Sequence, residues 1–222
     1  WIGLVGSEMC IRDRLSSFKK IFILGIGGSG MSSIAKYLKQ KGHDVEGYDQ
    51  RISYITNLLE SDGVKTCQNL DNFKYQEDVL YVISSAINLE DTFLANYTEN
   101  ENVISRPKFL ELLSEEVEIL GITGTHGKTS TTALVSHIFH FNNKNASFIY
   151  GGVSGFGNLG GHFGEKTQPL ILETDEAFNT FKNINIKDLI VTNIDNDHID
   201  FYESYENLID AFNHVIKNVK GV

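Results

Sequence analysis

Two glycine-rich segments restrict the folds open to this chain more than any other feature of its sequence. The first is "GIGGSG" at residues 25–30, and the second is "GITGTHGKTSTT" at residues 121–132. Each follows an apolar run of strand length, and each precedes apolar residues at helical spacing, such as Met31, Ile34 and Leu38 after the first segment. A strand that turns through glycines into a helix, repeated along the chain, is typical of an α/β fold with a parallel sheet.

Apolar runs elsewhere predict the remaining elements of such a fold. We expect strands at residues 44–48, 79–84, 170–174 and 188–194, and helices near residues 52–61 and 205–217. Gly42 follows two lysines and predicts the end of the first helix. Seven glycines between Gly151 and Gly164 predict a surface loop that approaches a ligand. Pro107 predicts a domain boundary.

The charge and cysteine content argue against several classes of protein. The formal net charge of the 222 residues is −10, whereas a general nucleic-acid or membrane-surface binder needs a basic face. The two cysteines, Cys10 and Cys67, lack the spacing of a disulfide framework or a metal site, so a reducing cytoplasm is the expected compartment. No apolar run approaches the roughly 20 residues that span a bilayer.

The beginning of the chain is set aside in predicting the fold. The stretch "LVGSEMCIRDR" at residues 4–14 resembles a translated adapter used to prepare sequencing libraries. We therefore expect residues 1–14 to be non-native and exclude them from fold reasoning; a genuine N-terminal tail is the alternative.

The first glycine segment predicts a diphosphate site. Gly25, Gly27 and Gly30 form the spacing G-x-G-x-x-G, and Asp49 ends the next predicted strand about 20 residues later. Glycines allow the tight turn and let backbone N–H groups meet a pyrophosphate at the helix N-terminus. The motif does not distinguish a nicotinamide cofactor, a flavin and a nucleotide-sugar, and a glycine turn without a ligand is the remaining alternative.

The second glycine segment predicts a nucleotide-triphosphate loop, although Gly121 stands one place too early for the pattern G-x-x-x-x-G-K-[ST]. Gly124 and Gly127 can form an anion-binding nest, and Lys128 can reach the β- and γ-phosphates. Thr129 can place its hydroxyl on Mg²⁺.

Acidic residues follow two later strands, at the edge of the sheet where ligands bind in open α/β folds. Because Mg²⁺ needs only one or two protein carboxylates beside phosphate oxygens, this cluster supplies its candidate ligands. The candidates are Glu173, Asp175, Glu176, Asp195, Asp197, His198 and Asp200. The fold class predicted from these patterns is α/β, with a Rossmann-like parallel-sheet domain over residues 15–107 and a P-loop-type ATPase domain over residues 108–222.

Taken together, the motifs resemble those of the Mur ligase family. "LGIGGSGMSSIAKYL" is similar to the family's uridine-diphosphate motif, "GITGTHGKTSTT" to its ATP loop, and "ETDEAFNTF" and "TNIDNDHIDFY" to its metal and substrate segments. The family's loop runs G-T-x-G-K-[ST], so the displaced glycine is the family's own variant. His126 at position x, together with "TNIDNDHIDFY", resembles the alanine-adding branch more than the branch that recycles murein tripeptide.

The resemblance implies a role for each matching residue. Lys128, Glu173 and His198 would be catalytic; Thr129 and Glu173 would hold one Mg²⁺, and His198 would help to hold a second metal. The ATP site would comprise Gly124, Thr125, His126, Gly127, Lys128, Thr129, Ser130 and, with a weaker assignment, Asn193. The sugar-nucleotide site would comprise Gly25, Ile26, Gly27, Gly28, Ser29, Gly30, Met31, Asp49, Ser84, Ser85 and His126.

The resemblance also implies a reaction. The lactyl carboxylate of UDP-N-acetylmuramate would attack the γ-phosphate of ATP to give an acyl phosphate, and the amine of L-alanine would then displace phosphate. No nucleic-acid or membrane partner is expected. Family members carry a longer central domain and a further C-terminal domain. The resemblance therefore implies that the domain over residues 108–222 is incomplete, and we expect this chain to be a fragment that binds its ligands weakly at best and has no ligase turnover alone.

Three alternatives stay open at this point. A tripeptide-recycling ligase would act on the same sugar-nucleotide. A nicotinamide-dependent oxidoreductase would use Gly25, Gly27, Gly30 and Asp49, but it leaves the second loop unexplained. A nucleotide-sensing module without catalysis would use both loops.

Overall fold

A computed structural model describes residues 15, 17–154, 158–175, 181–195 and 199–220. They form two five-stranded sheets that follow one another along the chain. The scar predicted at residues 1–14 lies outside the described residues. In the described part of the chain, no helix is long and apolar enough to cross a membrane.

The first sheet is entirely parallel, with the strand order β3-β2-β1-β4-β5. Its central strands carry almost only apolar residues, as expected when helices cover both faces of a sheet. The elements are β1 Lys20–Leu24, α1 Ser29–Lys41, β2 Asp44–Tyr48, α2 Tyr54–Ser61, β3 Lys65–Cys67, β4 Val79–Ile83, β5 Val103–Ser105 and α3 Arg106–Glu116. The predicted Rossmann-like sheet is confirmed.

The second sheet has the order β10-β6-β9-β7-β8, in which only β8 runs antiparallel to its neighbour. The strand β6 lies between β10 and β9 and leads directly into the second glycine segment, as a P-loop-type domain requires. The elements are β6 Ile119–Thr123, α4 Lys128–Phe141, β7 Ser147–Val153, β8 Leu159–His162, β9 Leu170–Glu173, β10 Ile186–Val191, α5 Ile199–Tyr202 and α6 Tyr205–Asn218.

Helix α1 joins the two sheets, because it packs on β7 and β8 as well as on its own sheet. The Ser33 hydroxyl donates a 2.7 Å hydrogen bond to the carbonyl oxygen of Tyr150. A methyl group added to Gly161 would overlap the carbonyl oxygen of Ser33, so the backbones of α1 and β8 are in direct contact. The ring of Tyr37 meets Phe163 edge-on at 5.6 Å between centroids. The N-terminus of α1 is therefore held in a fixed position beside the second sheet.

The expectation that the glycine-rich segment 151–164 is a surface loop is corrected by this packing. The segment 151–164 is not simply a surface loop, because it contributes to the antiparallel strands β7 and β8, in which Gly160 and Gly161 are buried. Glycine is needed there because another backbone lies too close for a side chain. Pro107 occupies the first turn of α3, where its missing N–H costs nothing. The domain boundary predicted at this residue stays a prediction.

The amphipathic pattern of α4 is only partly used for packing. Val135 and Phe139 pack on the cluster of Ile122, Ala146 and Ile171, whereas Leu134 is 58% exposed and Ile138 is 49% exposed. Although these four apolar residues have helical spacing, they therefore lie in two environments.

Two partly buried histidines predict that the protein becomes less stable in mild acid. Burial lowers the pKa of both His43 and His162, and for His162 the nearby charges of Lys36 and His140 lower it further. A folded-state pKa below the unfolded value of about 6.5 means that protonation favours the unfolded chain. The stabilisation is therefore complete above that unfolded value and is lost as the pH falls through the lower folded-state values.

We expect the midpoint of urea denaturation to fall between about pH 7.5 and about pH 5, and to fall less in the variant His43→Asn/His162→Gln. These replacements keep an N–H donor for the bonds to the carbonyl oxygen of Phe18 at 2.9 Å and to Oδ1 of Asn145 at 2.8 Å. An equal fall in both proteins would contradict the assignment to these histidines.

Candidate active site

The first glycine segment forms a tight turn between β1 and α1. Gly25 has a φ of +78°, and the N–H groups of Gly25 and Ile26 both donate to the carbonyl oxygen of Tyr48. A methyl group on Gly25 would lie 2.7 Å from Cβ of Ser84, so Ser84 lies directly against the turn. Ser85 follows Ser84 on the exposed side of the same edge.

Asp49 lies beside this turn, as predicted, but its carboxylate is bonded to the protein. Its Oδ2 accepts a 2.9 Å hydrogen bond from the N–H of Gly27, and its Oδ1 accepts one of 3.1 Å from the N–H of Arg51. Gly28 donates its N–H to the carbonyl oxygen of Gly25. The N–H groups of the turn itself are therefore already used, and those of the first helical turn are left for a ligand.

The second glycine segment has the backbone of a phosphate-binding loop. Gly124 and Gly127 have φ values of +130° and +81°, and Gly127 is the residue before α4. Lys128 begins that helix, and its Nζ donates to the carbonyl oxygens of Gly124 at 2.7 Å and Thr125 at 3.2 Å. Its ammonium group is 4.0 Å from a carboxylate oxygen of Asp175. The lysine side chain thus folds back onto the loop, where a phosphate chain would lie.

The residues that follow β10 fix the shape of this loop. Asn193 bonds to His126 in both directions: its Oδ1 accepts from the N–H at 2.9 Å, and its Nδ2 donates to the carbonyl oxygen at 2.9 Å. The Thr192 hydroxyl donates to the same carbonyl oxygen at 2.7 Å. A methyl group on Gly124 would lie 2.7 Å from the carbonyl oxygen of Asn193. Asn193 therefore contacts the loop backbone, and His126 is exposed.

Thr125 completes this connection. It is buried, and its hydroxyl accepts a 2.9 Å hydrogen bond from the N–H of Asp195, while its own N–H donates to the carbonyl oxygen of Asn193. Ser130 is exposed on the first turn of α4.

Glu173 connects three elements at the predicted metal position. Its Oε1 accepts a 2.7 Å hydrogen bond from the Thr129 hydroxyl, and its Oε2 accepts one of 2.6 Å from the N–H of Gly151. A hydroxyl and a carboxylate at the carboxyl edge of the sheet are hard oxygen donors that fit Mg²⁺ beside a phosphate. Among the described residues, no group of three or more His, Cys, Asp or Glu side chains is placed to hold a metal ion.

Part of the predicted acidic cluster cannot be placed. His198, Glu176 and Asp197 lie outside the described residues, and so does the side chain of Asp200. The second metal position, which depends on His198, therefore stays a prediction.

The two glycine segments face the same region of the molecule. A methyl group on Gly151 would lie 3.5 Å from the hydroxyl oxygen of Ser29 at the start of α1. Because Gly151 also donates to Glu173, which bonds to Thr129, one strand residue lies between the first loop and the second. No sequence pattern indicated this role for Gly151, because the role depends on the packing of α1 against β7.

Comparison with known proteins identifies the family. The profile "Mur ligase family, catalytic domain" matches residues 20–118, and "Mur ligase middle domain" matches residues 122–221. The chain belongs to the Mur ligase family. The first profile contains the first sheet with its glycine segment, and the second begins within β6 and covers the rest of the second sheet, so both halves of this Mur ligase chain are matched.

Two relatives of this Mur ligase chain are both named UDP-N-acetylmuramate–L-alanine ligase. A UDP-N-acetylmuramate–L-alanine ligase of Cytophaga hutchinsonii is 31% identical over 93% of the chain and 47% of the relative. One of a Hydrogenobaculum species is 37% identical over 91% of the chain and 45% of the relative. The chain thus spans about half the length of the curated relatives it matches.

Solved structures agree with this assignment. The UDP-N-acetylmuramate-alanine ligase MurC of Thermotoga maritima has a TM-score of 0.77 at 28% identity, over 90% of this chain and 47% of that chain. The ligase MPL of Neisseria meningitides, whose name specifies an L-alanyl-γ-D-glutamyl-meso-diaminopimelate substrate, has a TM-score of 0.73 at 22% identity and shows the fold alone. It covers 91% of this chain and 68% of that chain.

Proposed function

We propose that this chain is the sugar-nucleotide- and ATP-binding part of a cytoplasmic ligase that joins L-alanine to the lactyl carboxylate of UDP-N-acetylmuramate. The main observation in support of the proposal is that Gly151 lies between the two glycine segments. It bonds to Glu173 beside the ATP loop and lies against Ser29 at the start of α1. A sugar-nucleotide held at α1 would extend its carboxylate toward a phosphate held at Lys128.

In this proposal the chain positions two reactants whose negative charges repel each other. The N–H groups at the start of α4 and the Lys128 ammonium group hold the β- and γ-phosphates of ATP, and they stabilise charge that develops on the γ-phosphate. Thr129 and Glu173 would hold Mg²⁺, which when bound neutralises phosphate charge.

The proposed reaction has two steps. An oxygen of the lactyl carboxylate forms a bond to the γ-phosphorus while the bond to ADP breaks. The unprotonated amine of L-alanine then attacks the acyl carbon, inorganic phosphate leaves, and the amine gives up a proton. His126 is exposed on the same loop as Lys128, and in this proposal its ring would contact the sugar-nucleotide.

The relatives favour the alanine-adding reaction over its rivals. Those 31% and 37% identical are both named as alanine ligases, whereas the likeness to the MPL structure rests on 22% identity and the fold. A nicotinamide-dependent oxidoreductase would leave Lys128 and its loop without a purpose.

Direct titration of the chain tests the proposal. We expect UDP-N-acetylmuramate and Mg²⁺-ATP each to produce a saturable heat signal in calorimetry, and NAD to produce none. Binding of NAD without binding of UDP-N-acetylmuramate would contradict the ligase proposal and support the oxidoreductase.

The variant Glu173→Gln tests the metal assignment separately. The amide keeps a side-chain oxygen for Thr129 or Gly151 but removes the charge that favours Mg²⁺, so the chain should bind Mg²⁺-ATP about tenfold more weakly. Binding of ATP in EDTA should change by less than about twofold.

Glu165→Gln is the matched control, because Glu165 is an exposed glutamate on the loop after β8, outside the site. Equal losses with and without Mg²⁺ in Glu173→Gln would show that Glu173 does not act through the metal.

A further inference from the structure

Arg106 is a cation at the first loop that no motif predicted. It follows β5 directly and begins α3, at the same sheet edge as the end of β4 and its neighbour Ser84. Its Nε is buried without a hydrogen-bond partner. Within the described residues its guanidinium group forms no ion pair with a carboxylate, although the chain has a net charge of −10.

The guanidinium group lies directly on the first turn of α1. A methyl group added to Gly30 would lie 2.9 Å from its Cζ and 3.0 Å from one of its terminal nitrogens. Gly30, the last glycine of the first motif, therefore leaves the space that the arginine occupies. Any other residue at this position would push the cation away from the helix N-terminus.

The hydrogen bonds of the loop show which donors remain beside Arg106. The N–H groups of residues 25–28 are all bonded inside the protein, to Tyr48, Asp49 or Gly25. The first helical bond of α1 is donated by Ser32 to Gly28. The N–H groups of residues 29–31 thus have no acceptor within the helix, as in the first turn of any helix.

A buried arginine nitrogen without a partner is costly, and a ligand that accepts its hydrogen bond would remove that cost. An anion above residues 29–31 would accept bonds from those N–H groups and from the planar, two-pronged guanidinium group together. A diphosphate has several oxygens that can accept hydrogen bonds from a guanidinium group, and its negative charge is stabilised at the positive end of the helix dipole.

We propose that Arg106 binds the diphosphate of the sugar-nucleotide, together with the N–H groups of Ser29, Gly30 and Met31. The inference rests on the proposed function, because it assigns the diphosphate to the substrate of that ligase. It also narrows the predicted binding loop to its last three residues plus one arginine that is distant in the sequence.

Calorimetric titration of the 222-residue chain with UDP and with inorganic pyrophosphate tests the inference. Arg106→Gln should bind both ligands about 10- to 100-fold more weakly, because a charge-assisted pair of hydrogen bonds is lost. Arg106→Lys keeps the positive charge but not the planar pair of N–H donors, so its affinity for both ligands should fall by less. Lys108→Gln is the matched control: it removes one positive charge from the exposed side of the same helix and should change either affinity less than twofold.

The outcomes separate the inference from the proposed function. Unchanged UDP affinity in Arg106→Gln would overturn the inference and leave the ligase intact. Arg106-dependent binding of pyrophosphate without binding of UDP would keep the anion site and contradict the ligase. Binding of neither ligand by the unmodified chain would overturn both. If Arg106→Gln melts at a lower temperature than the unmodified chain, the affinity of Arg106→Lys for UDP and pyrophosphate tests the inference instead. A loss of affinity above about fivefold supports the inference, and a smaller loss overturns it.

Discussion

Replacing Lys128 by methionine is expected to reduce the affinity of the chain for Mg²⁺-ATP by about 30- to 100-fold. Methionine has a similar length but no charge, so the loop keeps its volume and loses the ammonium group that would pair with the phosphates. Charge-assisted hydrogen bonds contribute about 2–3 kcal/mol each, and 1.4 kcal/mol is about tenfold in affinity. Calorimetric titration with Mg²⁺-ATP, and with Mg²⁺-ADP in parallel, measures the loss.

The size of this effect is limited by what Lys128 does without a ligand. Its Nζ already donates to Gly124 and Thr125, and it lies 4.0 Å from Asp175, so binding of a phosphate exchanges some contacts for others. Because the γ-phosphate is absent from ADP, we expect the loss for ATP to exceed the loss for ADP.

Lys144→Met is the control for this prediction, because it removes the same charge from an exposed position beyond the other end of α4. We expect it to bind Mg²⁺-ATP within about twofold of the unmodified chain. Retention of full ATP affinity in Lys128→Met would show that the loop is not the triphosphate site.

Local patterns predicted most of the elements and both loops, because each depends on residues that are close in the sequence. Gly42 ends α1 with a φ of +103°, as a glycine after two lysines predicts. The strand at 44–48 matches β2 in full. The loop glycines Gly124 and Gly127 adopt the left-handed backbone that their motif requires.

Contacts between distant segments account for what the sequence could not predict. Gly160 and Gly161 suggested a surface loop, whereas close backbone approaches exclude a side chain at both positions. The two-way bonding of Asn193 to His126 joins residues 67 apart, and no spacing rule relates them. Arg106 meets Gly30 only because β5 and β1 end at the same edge of one sheet.

Gly161→Ala is expected to lower the free energy of unfolding by about 3 kcal/mol, because the added methyl group overlaps backbone that cannot move aside. It would collide with the carbonyl oxygen of Ser33 and lie 2.8 Å from the carbonyl carbon. Overpacking of a tightly packed interior costs about 1–3 kcal/mol, and a clash with backbone lies at the upper end. Urea denaturation followed by circular dichroism measures the change.

The neighbouring strand offers a control of the same chemistry. Gly151→Ala adds a methyl group at 3.5 Å from its nearest neighbours, an ordinary contact, and should change the free energy of unfolding by less than about 1 kcal/mol. If Gly161→Ala were as stable as Gly151→Ala, α1 would not be held against β8 as described. The first loop leads into α1, and β7 adjoins the second loop. Without the packing of α1, the two loops would therefore lack the fixed separation on which the proposed transfer of the γ-phosphoryl group from ATP to the sugar-nucleotide depends.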